Sequence, residues 1–103
     1  MMNDKDFAKE VTRIINLVAA AVEENDIYGN IDVDINGDIL NITAQAGVFV
    51  INKQSSVKEI WLYSPISGPY HFLHDGKAWK SKAGDDLFRV LSNDLKIEIK
   101  DLV

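Results

Sequence analysis

The chain has 103 residues, 47% of them hydrophobic and 26% charged, with a net charge of −5 and no cysteine. That length fits one domain over residues 1–103, with a two-layer core burying roughly 60–70% of the unfolded surface. The composition excludes a disordered chain, the missing cysteine excludes disulfides and any cluster held on the protein's own sulfurs, and the negative balance makes nucleic acid a poor partner.

Asn3 or Asp4 is placed to cap a first helix, with Asp6 in its favourable first turn. Phe7, Val11, Ile14, Val18 and Val22 recur at helical spacing and form one amphipathic stripe, widened by Ile15 and Leu17. The helix is expected to stop near Asn25 or Asp26. Its apolar stretch from Ile14 to Val22 is broken by Asn16 and is too short to span a bilayer. With acids near its start, the sequence is not expected to open with a signal or Arg-rich transit segment. No membrane partner is expected, and a bacterial cytoplasm fits best.

Ile31, Val33 and Ile35 then alternate with Asp32 and Asp34, which reads as a strand. Asn36-Gly37 is the strongest short hairpin signal, and Asp38 to Ala44 returns with Leu40 and Ile42 inward. Val48 to Gln54 and Lys58 to Tyr63 make a second hairpin. Pro65, Gly68 and Pro69 mark a loop. Tyr70 to Leu73 and Ala78 to Ser81 are short strands around Asp75-Gly76. Gly84-Asp85 is expected to start a second helix capped by Asp85, with Leu87, Leu91 and Phe88 toward the core. The tail Leu95 to Ile99 alternates, as either a final edge strand or an extended packing segment. Helix, five or six alternating antiparallel strands, helix: this order predicts an α+β two-layer sandwich, both helices on one sheet face.

The charge is unevenly spread. Between Arg13 and Lys53 there is no Lys, Arg or His, while Glu23, Glu24, Asp26, Asp32, Asp34 and Asp38 give a local charge of −6. Acids in the last helical turn oppose the macrodipole by roughly 0.3–1 kcal/mol each. Either a solubilising face or a cation-binding one explains them. Asp32-x-Asp34-x-Asn36-Gly37 opens like a calcium loop, but Thr43 stands where that loop needs a bidentate Glu. The match fails. Asp32 and Asp34 lie about 7 Å apart along a strand, so with Glu23, Glu24 and Asp26 they form a loose anionic surface. Such all-oxygen donors suit hard or borderline cations, weakly and unselectively. His71 and His74 fall on opposite strand faces and are poor co-ligands. No nucleophile triad, phosphate loop or paired buried carboxylate is apparent.

In the second hairpin, Ile60 and Leu62 share one face and Glu59, Trp61 and Tyr63 the other. Glu59 is not expected to be buried unpaired, so its face is the wet one and Trp61 lies outside. Asn52 and Gln54 join it if the strands pair. An outward Trp beside amide side chains is the usual make-up of a binding hot spot. The alternative is a core Trp61 with the two faces exchanged.

VINKQ followed by KEIWLYSPISGPYHF resembles the signature of the frataxin family, and MNDKDF and IDVDINGDILNI resemble its bacterial, CyaY-like branch. The likeness runs from about Asn3 to the second helix. It implies a frataxin-like sandwich and an iron-binding accessory protein of iron–sulfur cluster assembly, not an enzyme. The implied iron site, weakly binding Fe2+ or Fe3+, is the acidic ridge Glu23, Glu24, Asp26, Asp32 and Asp34. The implied partners are a cysteine desulfurase and the cluster scaffold, touched by Asn52, Gln54 and Trp61. A monomer that assembles further with iron is also in keeping with the family. Ala19 and Ala20 stand where relatives usually carry further acids, which leaves stoichiometry and storage open. The contrasting reading is a binding module for another basic protein, with metal binding incidental.

Overall fold

The computed structural model describes residues 2–101. Helix α1 runs Asp4–Asn25, and its N-cap is Asn3, whose side-chain oxygen accepts from the Asp6 amide at 2.8 Å. The apolar stripe is buried as its spacing requires, with Phe7, Val11, Ile14, Val18 and Val22 all under the surface. Six strands follow: β1 Asp32–Asn36, β2 Ile39–Ala44, β3 Gly47–Gln54, β4 Glu59–Ser64, β5 Gly68–His74 and β6 Trp79–Lys80. They pair in chain order as an antiparallel meander. Gly37 takes φ +61° in the β1–β2 turn, a left-handed conformation that favours glycine. Helix α2 spans Leu87–Leu95.

Period-two alternation sends Leu40, Ile42, Phe49, Ile51, Ile60, Leu62 and Phe72 to one face, where they are essentially fully buried. They form a single core cluster with the buried residues of both helices. Phe88 packs against this cluster only partly buried. The result is the expected α+β sandwich.

One local expectation is corrected, and one open alternative is decided. The N-cap of α2 is Asp86, whose carboxylate accepts from the Arg89 amide at 3.1 Å, and not Asp85. Asp85 is already engaged: Ser81 Oγ donates to its carboxylate and accepts from its amide, both at 3.0 Å. That closed loop leaves the next acid at the helix mouth. The tail does not form a strand either. Leu95 is the last helical residue, and Lys96 turns left-handed at φ 58°. Ser92 Oγ then accepts from the Ile99 amide at 2.9 Å and donates to its carbonyl at 3.0 Å, which buries Ile99. Beyond it, Arg13 on α1 holds Glu10 and Asp101 at 2.6 and 2.8 Å. The extended packing segment is the arrangement found.

Candidate functional site

The register of the sheet builds the outer face residue by residue. Ile39 opposes Asn52, Asn52 opposes Trp61 and Trp61 opposes His71, so these side chains form one row across β2, β3, β4 and β5. Gln54 opposes Glu59 in the adjoining row and donates to Asn52 Oδ1 at 2.8 Å. Asn52, Gln54 and Trp61 are thus brought together, on the face away from the helices. Trp61 is half-buried and lies outside the core; the chain's other tryptophan, Trp79, is the core one.

Two neighbours hold the Trp61 ring. Its indole Nε1 donates to Glu59 Oε1 at 2.7 Å, and the His71 ring stacks on it with centroids 4.1 Å apart and planes 5° from parallel. His71 Nδ1 lies 3.7 Å from the same Glu59 oxygen. The Glu59 carboxylate has an indole donor and an imidazole beside it, which explains how it tolerates partial burial. A large aromatic fixed in one rotamer on an open face loses little entropy on binding and offers much area. The sequence pattern puts His71 on a strand but carries no sign of its contact with Trp61. The pairing of β4 with β5 decides that contact, and no local pattern encodes it.

The acidic residues are distributed differently. Glu23 and Glu24 are exposed in the last turn of α1, which has no base to offset them. Asp32 and Asp34 are exposed on β1, the edge strand, opposite Thr43 and Asn41 on the outer side of the sheet. Asp26 closes the α1–β1 loop: its two carboxylate oxygens accept from the Asn30 and Ile31 amides, each at 2.9 Å. The five acids therefore straddle both layers along one edge. Among the described residues, no three His, Cys, Asp or Glu side chains gather closely enough to hold a metal ion. An edge of this kind attracts hydrated cations by its field more than by a preformed shell. His71 and His74 are separated as expected: His71 stacks on Trp61, and His74 meets Trp79 edge-on, with centroids 5.2 Å apart. No helix among the described residues is long and apolar enough to cross a membrane.

A frataxin-like domain is matched across residues 1–101. The iron-sulfur cluster assembly protein CyaY of Photobacterium profundum is 27% identical, covering 100% of this chain and 97% of that protein. Its counterpart in Burkholderia mallei is 30% identical, covering 88% and 86%. A mitochondrial frataxin-like protein of Leishmania donovani is 34% identical over 89% of this chain; the chain spans 54% of that longer relative. Among solved structures, a frataxin from Psychromonas ingrahamii superposes with a TM-score of 0.81 at 22% identity, covering 96% of this chain and 97% of that one, a likeness of fold. Trimeric yeast frataxin complexed with ferrous iron superposes with a TM-score of 0.71 at 26% identity, covering 93% and 85%. Signature, fold and full-length match converge: the chain belongs to the frataxin family, as a CyaY-like member.

Proposed function

We propose that this protein is an accessory factor of iron–sulfur cluster assembly that modulates sulfur transfer by another enzyme and performs no covalent chemistry itself. The observation that carries this reading is the full-length relation to a protein named for iron–sulfur cluster assembly. In this reading Asn52, Gln54 and Trp61 contact a cysteine desulfurase and the cluster scaffold. Glu23, Glu24, Asp26, Asp32 and Asp34 attract Fe2+ weakly and face a basic partner surface. The fixed Trp61 ring supports the first role. The base-free stretch between Arg13 and Lys53 supports the second, as does the ferrous complex of a structural relative. That relative's trimeric state also motivates sedimentation of this chain with and without added Fe2+.

The test is capture from bacterial cytosol on the immobilised protein. Recovery of a cysteine desulfurase with its scaffold is expected, and recovery of neither sinks the reading. One observation favours a second reading, in which the chain docks another basic protein and metal binding is incidental. Its acids lie scattered over two layers and do not converge. Capture of a basic protein outside cluster assembly is the outcome that second reading predicts.

A further inference from the structure

One end of the molecule is apolar in a way that neither the Trp61 face nor the acidic edge explains. Past the end of α1 the chain turns through Ile27 and Tyr28, which are 78% and 80% exposed. Adjacent bulky side chains at that exposure gain nothing from folding and mark interaction sites when they border an apolar groove. Such a groove is present, with a volume of about 600 Å³, lined by these two residues with Ile31, Phe49, Ile66 and Ile97. It opens between the helix ends and the β2–β3 and β4–β5 turns.

The knob is preformed. Asp26 holds the loop through the Asn30 and Ile31 amides, and the Gly29 amide donates to the Asp26 carbonyl at 3.2 Å. On the other wall, Asp94 accepts from the hydroxyls of Ser64 and Ser67. Both carboxylates line the groove, where Lys96 is the single base among the described residues, and Glu23 and Glu24 stand in the last turn of α1. Apolar walls with a negative rim select for one kind of occupant.

We infer that the Ile27–Tyr28 knob and its groove are a second docking surface, for a polypeptide segment bearing bulky apolar side chains flanked by Lys or Arg. The inference rests on the proposed assembly role, and the segment belongs to the desulfurase–scaffold complex. The apolar side chains enter the groove, and the flanking bases meet Asp26, Asp94 and the end of α1. The contact is separate from the Trp61 face, so the two surfaces contribute independently.

The test measures affinity for the purified desulfurase–scaffold complex, using wild type, the double variant Ile27→Ser with Tyr28→Ser, Ile66→Lys and Trp61→Ala. Far-UV circular dichroism and urea unfolding accompany each variant; both knob residues are exposed, so the double variant is expected to stay folded. The double variant should weaken binding at least about tenfold, and the loss should persist in high salt, because apolar contacts are not screened. Ile66→Lys, which sets a cation against a basic segment, should weaken binding as well. If both groove variants bind like wild type while Trp61→Ala is impaired, this inference fails and the assembly role stands. If wild type does not bind the complex, both fall. Self-association of the chain that the double variant abolishes would make the occupant a second copy and overturn the proposed partner.

Discussion

The indole nitrogen of Trp61 donates to the carboxylate of Glu59, two residues earlier on the same strand, at 2.7 Å. The bond joins two side chains of the open face and ties the ring down. It also divides what a substitution at Trp61 does. A buried Trp cut to Ala costs about 3–5 kcal/mol. Here the ring is half-buried on the outer face, and its loss removes one charge-assisted bond and one stacked pair, about 1–2 kcal/mol. Trp61→Phe keeps the stack and isolates the bond. Urea unfolding should rank wild type, Phe and Ala in that order of stability, with Ala losing less than 3 kcal/mol. A larger loss would mean that Trp61 carries the core.

The acids at the end of α1 should behave in two ways. Glu23 and Glu24 are exposed and oppose the helix dipole, and the last turn of α1 carries no base beside them. Glu23→Gln with Glu24→Gln should stabilise the fold by a few tenths to about 1 kcal/mol, and added salt should mimic the change. A lower melting temperature for this double variant in low salt would contradict the electrostatic account.

Asp26 should do the opposite. Removing its carboxylate strands two backbone amides, so Asp26→Ala should cost about 1–2 kcal/mol. Thermal unfolding of Asp26→Ala beside the Glu pair checks the sign directly. An Fe2+ titration followed by NMR should broaden the amides of Glu23, Glu24, Asp26, Asp32 and Asp34 first. Broadening centred on His71 and His74 instead would dismiss the acidic edge as the iron site.

The tail predicts a pH dependence. The hydrogen bond from Arg13 holds the Glu10 carboxyl below its ordinary value of 4.5, against the opposing effect of burial. A depressed carboxyl stabilises the fold above its ordinary value, and that contribution is lost as pH falls through the folded-state value. Arg13→Gln removes the clamp on Glu10 and Asp101. It should lower stability near neutral pH by on the order of 1 kcal/mol, because the groups are partly screened by water. The gap between variant and wild type should narrow below about pH 4.5. A gap that stays constant down to pH 3 would assign the effect to packing alone.

Much of this architecture is legible in the sequence, and the gaps have physical causes. The helical stripe from Phe7 to Val22 and the alternation through Leu40, Ile42, Phe49 and Ile51 each depend on a period that a short window contains. Charge logic at Glu59 likewise puts Trp61 outside. The Trp61–His71 stack depends on how β4 and β5 register, and the clasp of Ser92 on Ile99 depends on a chain reversal after Lys96. Between adjacent Asp85 and Asp86, the cap is chosen by Ser81, four and five residues upstream. Asp26 looks like its acidic neighbours until its carboxylate is seen closing a loop. In each case a partner brought in by the fold decides between options that are locally equivalent.

We propose that the chain modulates sulfur transfer through the face centred on Trp61. The most direct test is the rate of sulfide release by a purified cysteine desulfurase–scaffold complex, with Fe2+ present, measured with wild type and with Trp61→Ala. Wild type is expected to change the rate, and Trp61→Ala should need more than twentyfold higher concentration for the same effect, a loss of about 2 kcal/mol in binding. A rate unaffected by wild type, or affected equally by both proteins, would contradict it.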